Sequence, residues 1–305
     1  MSEVPGLVDA HHHVWDLDRR PQPWLSEPGH APIHRSFGTD DLRSAATRPI
    51  AGRRLRRTVV VQCVTSVPET RELLALAERD PLVGAVVGWV DLTAPAVGDV
   101  LDELRAGPGG GCLRAVRHLV QGESDPRWLQ QPSVERSLRA VRERGLAYDI
   151  LIRDHQFDQA VRLAERLPDL PVVLDHAGKP PIAAGELGAW EQGLRRLAAH
   201  PQVRCKVSGL VTEADHEKWT VEDIRPVWEL LLSVFGPDRL MFGSDWPVCV
   251  LAGDWNAWAA TVEELLDGCS ATETEAILAG TATAFYGLDP LEPPTPERKE
   301  GTSCS

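Results

Sequence analysis

Eight short apolar runs recur along the chain: Leu7–His11 (LVDAH), Thr58–Gln62, Val83–Val90, Cys112–Arg117, Leu146–Ile152, Pro171–His176, Val203–Ser208 and Arg239–Asp245. They are rich in β-branched residues, continuous rather than strictly alternating, and followed by polar or turn residues. This pattern predicts parallel strands covered on both faces. Between them lie segments of helical periodicity. Pro68–Arg79 carries proline at its start, acids in its first turn and arginine at its end, which suits a helix dipole. Ser133–Arg144, Gln156–Leu167, Glu186–Ala199, Val221–Phe235 and Trp255–Leu266 read likewise, the last with a weak start signal. Thr272–Leu278 opens a further helix, with Glu275 completing a capping box on Thr272. Strand alternating with helix over this length predicts a closed, TIM-type (β/α)8 barrel spanning residues 1–288. A doubly wound open sheet is the alternative, but no GxGxxG follows a strand, and the glycines of 107–111 precede one. Residues 289–305, rich in Pro, Glu, Thr and Ser, are expected to form a disordered tail.

Composition narrows the partners. The 305 residues carry 32 basic and 45 acidic side chains, for a net charge of −13. That balance argues against nucleic acid or an anionic membrane as partner. No apolar run approaches the ~18 residues of a membrane span. The first residues lack a basic region followed by an apolar core, so a cytoplasmic location is expected. The six cysteines (Cys63, Cys112, Cys205, Cys249, Cys269 and Cys304) form no CxxC pair and read as free thiols. Basic residues are mostly arginine; lysine occurs only at Lys179, Lys206, Lys218 and Lys299.

In a β/α barrel the reacting groups gather where strands end. Those ends carry His11-His12-His13, Gln62, Arg117-His118, Asp175-His176, Lys206 with Ser208, and Ser244-Asp245. His11 and His13 are two residues apart, so a strand can aim both imidazoles at one point, as metal ligation requires, while His12 faces away. Asp245 is a candidate general base; its structural alternative is a helix N-cap. His176 is either catalytic or a core histidine bonded to backbone. Lys206 lies inside an apolar run, as a partner for substrate oxygens or as a side chain snorkelling at the rim. Arg117, His118 and Gln62 are further candidates for substrate contact, and Trp24 and Trp246 for stacking on a ring, with ordinary packing as the alternative.

With these residues placed, the chain resembles the amidohydrolase superfamily (amidohydrolase 2 type). It looks most like the sugar-lactonase branch containing L-fuconolactonase and L-rhamnono-lactonase, related to 2-pyrone-4,6-dicarboxylate lactonase. The resemblance rests on VDAHHHVWD (Val8–Asp16), LRAVRHLVQ (Leu113–Gln121), LDHAGKP (Leu174–Pro180), CKVSGLVTEA (Cys205–Ala214) and DRLMFGSDWPVC (Asp238–Cys249), and spans Val8 to Leu288. It implies a distorted barrel, carbohydrate catabolism and hydrolysis of a small lactone, with Asp245 activating water. Arg117-His118 at the fourth strand end and no histidine at the fifth argue against a binuclear centre. The resemblance implies one divalent cation, zinc by donor type, on His11, His13 and Asp245, with His176 as a further ligand or catalytic group; operation without metal is the alternative. The competing activities are hydrolysis of a dicarboxylate lactone or decarboxylation of an aromatic-derived acid, and outside catalysis a ligand-binding barrel.

Overall fold

A computed structural model describes residues 6–289. Eight parallel strands stand in sequence order: β1 (Gly6–His12), β2 (Arg54–Val61), β3 (Val83–Gly88), β4 (Leu113–His118), β5 (Ala147–Ile150), β6 (Val172–Leu174), β7 (Val203–Val207) and β8 (Leu240–Phe242). Helices α1 (Thr39–Ala45), α2 (Val67–Arg79), α3 (Val97–Ala106), α4 (Pro132–Glu143), α5 (Phe157–Arg166), α6 (Gly188–Ala198), α7 (Val221–Phe235) and α8 (Trp255–Leu265) lie between and after them. Unbroken order with only parallel pairing is the topology of a (β/α)8 barrel.

The sheet separates two cores. Inside it, Val8, Ala10, Val59, Val61, Ala85, Val87, Ala115, Ala147, Val173 and Met241 form one buried cluster. Small and β-branched residues dominate because the interior of a narrow barrel admits little else. A larger cluster fills the space between strands and helices. The segment after α8, comprising α9 (Ala271–Glu275), a π-helical turn (Ala276–Gly280) and α10 (Thr281–Tyr286), adds Ala279, Ala282, Tyr286 and Leu288 to the inner cluster.

Several boundaries differ from those the sequence predicts. β6 and β8 are shorter, because the chain leaves extended geometry before His176 and Asp245, which have φ of 51° and 55°. α3 was not predicted; its apolar positions are set between an Ala/Pro-containing segment and the glycines of 107–111. The capping box after α8 forms two residues earlier, with Ser270 and Glu273 rather than Thr272 and Glu275. The missing start signal of α8 is Asp254, whose carboxylate accepts from the Ala257 amide at 2.7 Å. Cys63, Cys205 and Cys249 are buried free thiols, and Cys112 and Cys269 are half-buried ones. Cys304 and nearly all of the expected tail lie outside the described residues. Among the described residues, no helix is long and apolar enough to cross a membrane.

Candidate active site

The site begins with an irregularity in β1. Asp9 pairs with Thr58 and His12 with Val60, so three steps along β1 match two along β2. An extra residue of this kind re-aims the side chains that follow it. His12 turns outward to Thr58 Oγ1 (2.9 Å), while His11 and His13 turn inward until their Nε2 atoms are 3.2 Å apart. His13 Nδ1 lies 2.8 Å from the Val61 carbonyl. A carbonyl only accepts, so Nδ1 carries a hydrogen toward it, and Nε2 is the ring nitrogen that faces His11 and Asp245.

Asp245 and His176 approach from β8 and β6. Asp245 Oδ1 lies 3.4 Å from His13 Nε2, 3.7 Å from His11 Nε2 and 3.8 Å from His176 Nε2. Both residues sit at positive φ, which costs about 1–3 kcal/mol for a non-glycine residue. Gly209 and Gly243 permit the close approach. A Cβ on Gly209 (φ +62°) would stand 2.6 Å from His176 Nδ1, and one on Gly243 would stand 2.8 Å from the His11 Cβ.

Beneath these four lies a layer of buried charge. Arg117 reaches Asp175 Oδ2 (3.1 Å) and His11 Nε2 (3.4 Å), and also donates to the Gln62 carbonyl and to Gln62 Oε1 (3.3 Å). Lys206 Nζ meets Asp149 Oδ2 (2.6 Å), Asp175 Oδ1 (3.0 Å) and His11 Nδ1 (3.2 Å). Tyr286 donates to Asp149 Oδ2 at 2.9 Å. Lys206 is 0% exposed and does not snorkel to the rim: two carboxylates meet its ammonium inside the barrel, which removes the need to reach water.

Burial favours neutral forms, and neighbouring charges then sort the groups. For Asp245, burial alone would raise the pKa, but His176, His13 and His11 outweigh it and hold the carboxyl well below the usual range. Asp175 is likewise pushed up by burial and pulled further down by Lys206, His11 and Arg117. Burial raises Asp149 despite Lys206. Burial lowers His176 to about 4, against the pull of Asp245. At neutral pH the cluster is therefore a neutral His176 beside an ionised Asp245.

The remaining predicted residues serve other contacts. His118 has both ring nitrogens engaged, Nε2 with Glu123 (2.7 Å) and Nδ1 accepting from Trp89 Nε1 (3.1 Å), and it stacks on Trp128. Trp246 is buried, edge-on to Phe37. Trp24 is half-buried, edge-on to Trp15, with its indole N–H given to Gln22 Oε1 (2.9 Å). Sequence reasoning assigned no role to Asp9, Asp149, Asp175, Ser208 or Tyr286. For the three acids the signal existed, since a carboxylate inside an apolar strand is as costly as the lysine that drew attention there.

The donor set fits a divalent cation. His11, His13 and Asp245 each offer one buried ligand atom to a common space. Their separations of 3.2–3.7 Å bracket the edge of about 3.3 Å expected for tetrahedral zinc bonded at ~2.05 Å. Three carboxylates (Asp149, Asp175 and Asp245) face two fixed cations (Arg117 and Lys206), which leaves a negative balance.

The family profile described as "Amidohydrolase" matches residues 8–288. The chain belongs to the amidohydrolase family. L-fucono-1,5-lactonase of Burkholderia ambifaria is 37% identical over 92% of this chain and 96% of its own length, and that of Burkholderia multivorans is 36% identical over the same shares. A solved amidohydrolase from Burkholderia multivorans, in a form with bound zinc, superposes with a TM-score of 0.86 at 34% identity, covering 93% of this chain and 100% of that one. A solved putative 2-pyrone-4,6-dicarboxylic acid hydrolase from Pseudomonas putida shares the amidohydrolase fold, with a TM-score of 0.69 at 23% identity, covering 92% of this chain and 97% of that one.

Proposed function

We propose that this amidohydrolase opens the ring ester of a sugar lactone, an aldonolactone of the L-fuconolactone kind, to give the open-chain hydroxy acid. The observation that carries this reading is the convergence of His11, His13, His176 and Asp245 on one buried point, in a chain 37% identical to an L-fucono-1,5-lactonase.

Asp245, ionised at neutral pH, takes a proton from the attacking water as its oxygen bonds to the lactone carbonyl carbon. In the tautomer where Ser208 Oγ–H donates to His176 Nδ1 (2.9 Å), His176 Nε2 carries a hydrogen and is the donor for the oxygen on which negative charge develops. The bond from carbonyl carbon to ring oxygen then breaks. Asp245 returns its proton to that oxygen, leaving a hydroxyl and a carboxylic acid that ionises in solvent. Arg117 and Lys206 hold His11 and the carboxylates beneath it, and Gln62 holds Arg117. His11, His13 and Asp245 are the residues to hold a divalent cation, zinc by donor type. Such an ion, when bound, lowers the pKa of water to about 7 and polarises a carbonyl.

The charge layer favours a neutral ring over a dicarboxylate one. Both inner cations are already matched to Asp149 and Asp175, so neither is free to pair with the second carboxylate of such a substrate. A pH-indicator assay over a lactone panel tests the reading, because opening releases a proton at neutral pH. Neutral aldonolactones are expected to be opened. Turnover confined to dicarboxylate lactones, or to none, would overturn the proposal.

A further inference from the structure

The eight strands follow one another with regular parallel pairing from β1 to β8, but β8 and β1 share no regular ladder. Their seam carries one isolated bridge, His12 to Trp246. The chain closes there by other means, and Asp9 supplies the side-chain part of them together with Ser244. Its Oδ1 accepts from the His11 amide (3.1 Å) and the Ser244 amide (2.8 Å), and its Oδ2 accepts from Ser244 Oγ (2.5 Å). Ser244 Oγ in turn accepts from the Trp246 amide (3.0 Å). Two backbone bonds complete the stitch, Asp245 N–H to the His11 carbonyl (2.8 Å) and His13 N–H to the Trp246 carbonyl (2.7 Å). Asp9 itself is fully buried, and these hydrogen bonds go to backbone amides and to Ser244 rather than to a reacting side chain.

We propose that Asp9, acting through Ser244, is a positioning residue that fixes the spacing between the His11 imidazole and the Asp245 carboxylate. The inference rests on reading the His11–Asp245 cluster as the reaction centre. One carboxylate binds the irregular turn of β1 that aims His11 and the turn after β8 that aims Asp245. Across the seam the two turns otherwise share one isolated bridge and two backbone hydrogen bonds rather than a regular ladder, and Asp245 is kept at positive φ. Removing the carboxylate frees both turns at once, and a shift of a fraction of an ångström between reacting groups is costly.

The role is one of hydrogen-bond geometry rather than of charge, and this distinguishes two substitutions. In Asp9→Asn the amide oxygen keeps accepting from both backbone amides. Its NH2 donates to Ser244 Oγ, whose hydroxyl hydrogen turns to the His11 carbonyl 3.5 Å away. In Asp9→Ala all three bonds go. Crystal structures and lactone kinetics of the native protein, Asp9→Ala, Asp9→Asn and Ser244→Ala test this. Asp9→Ala is expected to lower kcat by about 10–100-fold at unchanged KM, the usual cost of losing a partner that orients a site ligand. Its His11 Nε2 to Asp245 Oδ1 separation should open beyond the native 3.7 Å, while Asp9→Asn stays near native in both respects. Ser244→Ala moves both quantities in the same direction by less, and gives the readout should Asp9→Ala not fold. A variant lacking these bonds that melts lower yet keeps native spacing and kcat would show a purely structural role and overturn the proposal. Should the native protein open no lactone, the functional reading fails, and the separations measured in the crystals still decide this one.

Discussion

The inner face of the barrel changes character within one strand repeat. Along β4, Ala115 is followed two residues later by Arg117; along β5, Ala147 by Asp149; along β6, Val173 by Asp175. Alternate residues of a strand face the same side, so each pair occupies successive storeys of one interior. The lower storey is a dry cluster of small apolar groups. The upper one is charged and almost as deeply buried. The lower storey gains by leaving water, whereas the upper one is tolerable because Asp149 and Asp175 are paired with Lys206 and Arg117. The barrel thus places its chemistry one storey above its packing, on the same strands, and each storey fails differently when cut.

The largest difference should appear when one member of each storey is removed. Lys206→Met strands Asp149 and Asp175 without their shared cation and is expected to cost about 3–5 kcal/mol, the usual penalty for breaking a buried ion pair from one side. Val173→Ala removes only methyl groups and should cost about 1–2 kcal/mol at ~0.8 kcal/mol per buried carbon, with turnover per folded molecule unchanged. Urea unfolding of both variants checks the ranking. Equal losses would mean that the charged storey is not held by mutual pairing.

A smaller effect separates the site from its immediate neighbour. His12 lies between His11 and His13 in sequence but faces Thr58, and burial lowers its pKa to about 3. The unfolded chain takes up this proton near pH 6.5, the folded one only near 3. Between those values the unfolded state binds more protons, so the contribution of His12 to stability falls as pH falls. Relative to His12→Gln, the native protein should lose roughly 1 kcal/mol per pH unit from pH 6 down to 4, read from urea unfolding at several pH values. Parallel pH profiles for the two proteins would contradict the buried neutral state of His12.

How much of this was legible in the sequence follows from the same two storeys. The apolar storey is written in continuous β-branched runs, so the strands and their barrel order were readable from LVDAH to RLMFGSD. His11, His13, His176 and Asp245 stood out as polar residues closing such runs. Pairing was not readable: Lys206 was visible as an anomaly, but its partners Asp149 and Asp175 lie on other strands, and only closure of the barrel brings them to it. The extra residue in β1 and the positive φ of His176 and Asp245 were invisible for a related reason. The β1 irregularity and the Asp245 turn are tied to contacts across the seam, such as those of Asp9 with Ser244, and His176 meets Ser208 after β7, none of which the local run displays. His118, Trp24 and Trp246 were selected by position at strand ends or in loops, and the structure commits their polar atoms or faces to neighbours.

In the proposed reaction Asp245 is the base at the point where four distant side chains meet. Its most direct test is the rate of aldonolactone opening by Asp245→Asn beside the native protein at neutral pH, with unfolding curves showing that both are folded. Asp245→Asn is expected to lower kcat by roughly 10²–10⁴, the contribution of a positioned general base, with the native fold retained. A folded Asp245→Asn protein that turns over lactone at the native rate would contradict it.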